Sequence, residues 1–355
     1  MTFGPSHYVP VLKVKRGEKG ALQGISPILR SQITPLLEIV EWRRSDKKPF
    51  LADHLDTAFR DLAKSLQGYP PCFLDGRELA PHGPGAAEEV FARAAGAGIA
   101  FIPVTGISNR ADVSAALDRI QRGLAIRLTR SDFEAGELSS RLPTFMARHN
   151  IGFEDTDLIV DLGPVEDMVT AGVAWFATQF LGDVPHADLW RTLTVSASAF
   201  PLSMRIVDRN SHGFAARTEW LAWRDHLRDG GRVQRIPTYS DCAIQHPSGV
   251  EGFDPRIMPV SATVRYALAD NWLLIKGVST RLRLPSVQFP RLAKQLVYGH
   301  LRRHFRGEAH CEGCASIKAA ADGRPRLGSA EVWRRLGTIH HITAVTQTLR
   351  SLPAL

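Results

Sequence analysis

A chain of 355 residues is long enough for one large α/β domain with an appendage, or for two ordinary domains. With 44% hydrophobic and 23% charged residues it can bury a large core, which excludes wholesale disorder, and no apolar run reaches the roughly 18 residues needed to span a bilayer. The net charge of +8 and pI near 9.6 permit an anionic partner, but arginine is spread along the chain rather than gathered into one arm.

In chain order, apolar and β-branched runs of strand length begin at Tyr8 (YVPVLKVK), Thr34 (TPLLEIV), Pro71 (PCFLD), Ile99 (IAFIPVT), Leu124 (LAIRLT), Asp157 (DLIVDL), Arg191 (RTLTVSAS) and Val233 (VQRIPTYSD). Amphipathic segments lie between them, such as those from Phe50, Ala86, Val113, Phe133 and Ala216, with apolar residues at three- and four-residue spacing. Gly152 and Gly230 or Gly231 offer helix stops. Eight strands alternating with helices predict parallel βαβ units, and the spacing fits a (β/α)8 TIM-like barrel over residues 1–285. A doubly wound open sheet is the rival architecture.

After the eighth run the pattern changes. The stretch from Ser261 reads as two short strands around Asp270 and Asn271, and residues 286–355 read as a mainly helical C-terminal extension that docks on the barrel. The N-terminus lacks a signal-peptide h-region, so the cytoplasm is the expected compartment, with no membrane partner.

Barrels of this class carry their chemistry at the carboxyl ends of the strands. Alternation puts Lys13 and Lys15 on the same face as Val9 and Val11, at the end of the first run. The later runs end in Glu38, Asp75, Thr105, Arg127, Asp161, Ser198 and Asp241. Lys13, Lys15, Arg127 and Ser198 are candidates to bind an anionic, phosphorylated or nucleotide-like ligand. Glu38, Asp75, Asp161 and Asp241 are candidates for a catalytic base or for ligating a divalent cation. The same residues could instead neutralise one another in a structural ion-pair network. Whether the chain is an enzyme stays open; if it is, hydrolysis of a phosphorylated substrate is the expected chemistry. No Walker A loop, G-x-S-x-G elbow, H-E-x-x-H or G-x-G-x-x-G signature decides it. The two glycines of KRGEKG, Lys15 to Gly20, loosely suggest an anion-cradling turn.

The tail holds a second cluster. His310, Cys311 and Cys314 carry the C-x-x-C spacing that lets two thiolates meet one zinc ion, with a further ligand from His304, His340 or His341. Reduced thiols in a tight turn are the alternative. The four cysteines, with Cys72 and Cys242, are too few for a disulfide framework. Basic and aromatic residues interleave at His300 to Gly307 and Val332 to Gly337, which suits either a solvated amphipathic face or contact with nucleic acid or a partner protein.

The opening HYVPVLKVKRGEKGAL, the following ITPLLEIVE, the FLD at Phe73 to Asp75, and HCEGC and WRRLGTIHHI in the tail resemble the family called beta protein, found in phages, prophages and bacterial genomes. The resemblance implies a setting in phage biology or in bacterial defence against phage. It carries no catalytic role for Lys13, Lys15, Gly17, Glu18, Glu38 or Asp75, the positions that match the family pattern.

Overall fold

Each of the eight runs becomes a strand of one closed parallel barrel. The computed structural model describes residues 2–44, 49–83, 85–108, 110–248, 261–324 and 328–353. The barrel strands are β1 (Tyr8–Lys13), β2 (Leu36–Glu38), β3 (Cys72–Asp75), β4 (Phe101–Thr105), β5 (Leu124–Thr129), β6 (Thr156–Pro164), β7 (Thr192–Ser198) and, after an intervening strand β8 (Ser211–Ala216), β9 (Thr238–Asp241). They pair in the order β1 to β7 and then β9, which closes on β1 through Tyr8 opposite Tyr239. Helices cover the outside, so both faces of each strand are buried, which is why the runs are near-continuously apolar rather than alternating.

Strand alternation fixes what the bore contains. Val9, Val11, Leu36, Phe73, Ala125 and Ile159 pack in one interior cluster, with Phe3 against it. Two residues further along the same faces stand Lys13, Glu38, Asp75, Arg127 and Asp161. The pairing holds Lys13 opposite Glu38 and Glu38 opposite Asp75, so charge gathers at one level, the carboxyl end.

The stretch from Ser261 forms the expected hairpin, β10 (Ser261–Ala267) and β11 (Asn271–Ser279). No local pattern announces β8, a strand from inside the barrel's own span that pairs antiparallel with β11 to complete a three-stranded sheet. Its pattern, SHGFAA, has no apolar face, and its partner lies far downstream. Helices Pro285–Val297, Glu312–Ala321 and Ala330–Ser351 pack on this sheet around Tyr266, Leu273, Phe289 and Trp333, a second core. The last helix then continues onto the barrel, where Ile339, Ile342, Val345 and Leu349 join the main core.

Two local expectations are corrected. The segment from Phe133 is two helices, Arg130–Glu134 and Leu138–His149, separated by Gly136 and Glu137 with φ of 72° and 51°; a left-handed pair cannot continue a helix. The second helix stops at Asn150 in the left-handed conformation rather than at Gly152. Among the described residues no helix is long and apolar enough to cross a membrane.

Candidate functional site

Arg127 stands at the centre of the barrel mouth, 4% exposed, with its guanidinium shared among three carboxylates. Its Nη1 donates to Glu38 Oε1 and to Asp75 Oδ2, both at 2.8 Å, and its Nε donates to Asp161 Oδ2 at 2.9 Å. Asp75 also accepts from the Arg77 side chain at 2.7 Å and from the Arg77 backbone N–H at 2.9 Å. The Gly163 N–H donates to Asp161 Oδ1 at 2.9 Å. Burial alone would raise the Asp75 carboxyl, but Arg77 and Arg127 outweigh it and hold the group below the usual carboxylate range. Burial would likewise lower Arg127, and Asp161, Glu38 and Asp75 reverse that, keeping the guanidinium charged. Nearby Cys242 is pushed well up, first by burial and then by the charges of Glu38 and Asp161, so its thiol stays protonated.

Lys13 is committed to Glu78, which it meets at 2.7 Å. Arg127 and Lys13 are therefore each paired with protein carboxylates. Free charge lies on the rim instead, where β1 and β9 meet. Lys15 is exposed at the entry to helix Arg16–Gln23. Arg265 on β10 donates to the Ile244 carbonyl at 2.8 Å and lies 5.0 Å over the Phe200 ring. Arg334, on the last helix, is close enough to act on both. Burial, and next the like charge of Arg334, bring Arg265 down to about 9. Desolvation also lowers Lys15, Glu18 opposes this, and Arg334 and Lys13 add to the lowering. Among the described residues none of Lys15, Arg265 and Arg334 forms an ion pair. Glu18 acts on both Lys15 and Arg265, and Glu78 on Lys15 as well; buried Glu18 accepts from Gln245 with one oxygen and leaves the other, Oε2, without a hydrogen-bond partner.

The remaining sequence candidates are placed as follows. Ser198 is buried at the end of β7, its hydroxyl 3.5 Å from the Gln245 carbonyl. Asp241 does not enter the bore: alternation on β9 turns Ser240 and Cys242 inward and Asp241 outward, against the last helix. There it accepts from Tyr8 at 2.5 Å, Tyr239 at 2.8 Å, His341 Nε2 at 2.9 Å and the Ala243 N–H at 2.9 Å. Burial would raise this carboxyl too, yet His341 and Arg217 bring it down to about 2. His310, Cys311 and Cys314 come together in the tail with His340, whereas His304 lies against Phe214 and His341 serves Asp241. KRGEKG does not form a cradling turn. It runs into the first helix, where Gly20 faces the side chain of Arg335 on the last helix. In the tail stretches Trp333 and Leu336 are core residues, while Arg302 and Arg303 are exposed.

Sequence reasoning missed Arg265, Arg334, Arg77 and Glu78. The first two approach β1 only because the tail folds back over it, and nothing in their local pattern signals that. Two clefts, of about 460 Å³ and about 420 Å³, open elsewhere, one beside Phe3, Glu154 and Arg191 and the other beside Arg232 and Arg235. Both border the amino ends of strands, opposite to where barrels of this kind do chemistry.

A family model described as Beta protein matches residues 8–347. The chain belongs to this family. No protein of curated function matches it. The match spans the barrel, the small sheet and nearly all of the last helix, so Arg127 and its carboxylates, the rim cations and the Cys/His cluster all fall within the family's extent.

Proposed function

We propose that the barrel mouth binds a phosphorylated, nucleotide-like anion, which Lys15, Arg265 and Arg334 hold at the rim while the carboxylates Glu38, Asp75 and Asp161 face it from the bore. The observation that carries this reading is the group of three cations at the carboxyl end of the strands that, among the described residues, form no ion pair. Like charges repel one another, and an incoming phosphate relieves that repulsion while supplying acceptor oxygens to guanidinium donors. The Arg127 network adds a second half. Glu38, Asp75 and Asp161 bring carboxylate oxygens to the same mouth, and cations beside a phosphoryl group neutralise developing charge. Hydrolysis of the bound phosphate ester or anhydride is the chemistry this pairing suits, with the carboxylates also suited to a divalent cation. A phage or phage-defence setting belongs to the same proposal, supported by the resemblance of the opening and tail motifs, and the cytoplasm is its expected compartment.

The test is thermal stability against nucleotides, sugar phosphates, their unphosphorylated counterparts and short oligonucleotides, for wild type and Arg334→Ala. A ligand at 100 times its dissociation constant adds roughly 2.7 kcal/mol to the folded state, which is readily seen as a raised melting temperature. The expected result is a shift with a phosphorylated compound, absent for its unphosphorylated counterpart and lost in Arg334→Ala. No shift with any phosphorylated compound, in a protein that melts cooperatively, would sink the proposal.

A further inference from the structure

The tail holds a second constellation, independent of the barrel mouth. A ring nitrogen of His310, the Cys311 sulfur and a ring nitrogen of His340 lie within 4.8 Å of one another. Cys314 Sγ sits 3.2 Å from His340 Nδ1, and the Cys314 N–H donates to Cys311 Sγ at 3.3 Å. Three donor atoms thus converge, and the Cys314 sulfur stands beside two of the three residues, Cys311 and His340, which gives the mixed sulfur and nitrogen donor set that a structural zinc ion takes.

We propose that His310, Cys311, Cys314 and His340 bind one zinc ion, which fastens the start of helix Glu312–Ala321 to the last helix.

Three further observations support this. His340 Nε2 is 2.8 Å from the Ala267 carbonyl, a contact that requires the proton on Nε2 and so leaves the Nδ1 lone pair facing the sulfurs. A backbone carbonyl behind a histidine ligand is the usual way its tautomer and ring orientation are fixed. His310 Nε2 is buried with no hydrogen-bond partner, an expense that metal ligation removes. The Tyr266 hydroxyl lies 3.4 Å from Cys314 Sγ and can donate to a metal-bound thiolate. Cys314 and His340 are fully buried, and all four zinc positions are taken by protein, so the site is closed and structural rather than catalytic. Soft thiolates with imidazole in a tetrahedral set select zinc over the oxygen-preferring cations. The balance is simple: zinc enters as the dication, the two thiols each release a proton, the histidines stay neutral, and the site carries no net charge. A dithiol redox pair is the competing use of C-x-x-C at a helix start, but it would give neither histidine a role.

The four ligands come from three elements: Cys311 and Cys314 open helix Glu312–Ala321, His310 precedes it, and His340 sits in the last helix beside β10. An ion there would tie the segment after Val297 to the helix that covers β1. The test uses the full chain purified under reducing conditions with zinc present, its metal content measured by mass spectrometry. The expected result is one zinc per chain that survives dialysis, with the cadmium-exchanged protein absorbing in the ultraviolet through sulfur-to-metal charge transfer. His310→Ala, truncating a side chain that is only partly buried, is expected to keep the wild-type circular dichroism spectrum and to lose the ion; Cys314→Ser is expected to lose it and to melt earlier. Folded, reduced wild type that carries no zinc and takes up none from added zinc chloride would overturn the proposal. So would a Cys311–Cys314 disulfide in the purified chain, or zinc retained in both His310→Ala and Cys311→Ser.

Discussion

Two buried ionic networks lie on opposite sides of the same barrel wall, and they are built differently. Inside, Arg127 serves three carboxylates whose contacts are all short, from 2.7 to 2.9 Å, and the set opens toward the mouth. Outside, Asp241 gathers two tyrosines and His341, while Arg217 stands 3.6 Å from it and 3.8 Å from Glu219. The outer set leaves Arg217 Nε, Glu219 Oε2 and His341 Nδ1 without partners. The inner network is complete and carries excess negative charge; the outer one is sealed and underbonded. A sealed, underbonded cluster joins secondary elements, here the last helix to β1 and β9, whereas a complete cluster beside solvent is free to face a ligand.

The sharpest way to break this contrast is to remove the shared cation. Arg127→Met is expected to cost roughly 3–5 kcal/mol, because three buried carboxylates lose their counter-charge together; urea unfolding measures it, and a loss below about 1 kcal/mol would mean that water or another cation already serves them. Asp241→Asn is expected to cost less, roughly 1–3 kcal/mol, since the amide still accepts from some donors but leaves the others unpaired. The smallest effect is on pH dependence. Burial pushes Glu219 up to about 8, so the folded state binds a proton that the unfolded state has released. Stability from this group is fully present below an unfolded value of about 4.3 and is lost as pH rises toward 8. Urea midpoints at pH 5 and pH 8 should therefore draw closer together in Glu219→Gln than in wild type. An unchanged gap would show that Glu219 is ionised in the fold.

The barrel was legible because each parallel strand, buried on both faces, writes itself as an apolar run. The inner network was legible for the same reason: once Val9, Leu36, Phe73, Ala125 and Ile159 face the bore, Lys13, Glu38, Asp75, Arg127 and Asp161 must follow. Asp241 escaped because VQRIPTYSD fixes no phase. Its small residues Thr238 and Ser240 take the crowded interior, and the larger Tyr239 and Asp241 are turned out. β8, Arg265 and Arg334 escaped because their positions depend on partners far away in the chain, which local pattern does not encode. His340 was one of several histidines that could complete the Cys pair, and only the fold separates it from His341, one residue on and facing the other way.

The back-folded last helix also shapes how the chain reaches its native state. The outer face of β1 and the first helix are covered by residues such as Glu331, which pairs with Arg16 across 315 positions of sequence. During synthesis, the seam between β1 and β9 stays uncovered until those residues leave the ribosome. Contacts of such long range slow folding and keep a nascent sheet edge exposed. The docking of the last helix over that seam is thus expected to be the late step, after β9 has closed the wall on β1.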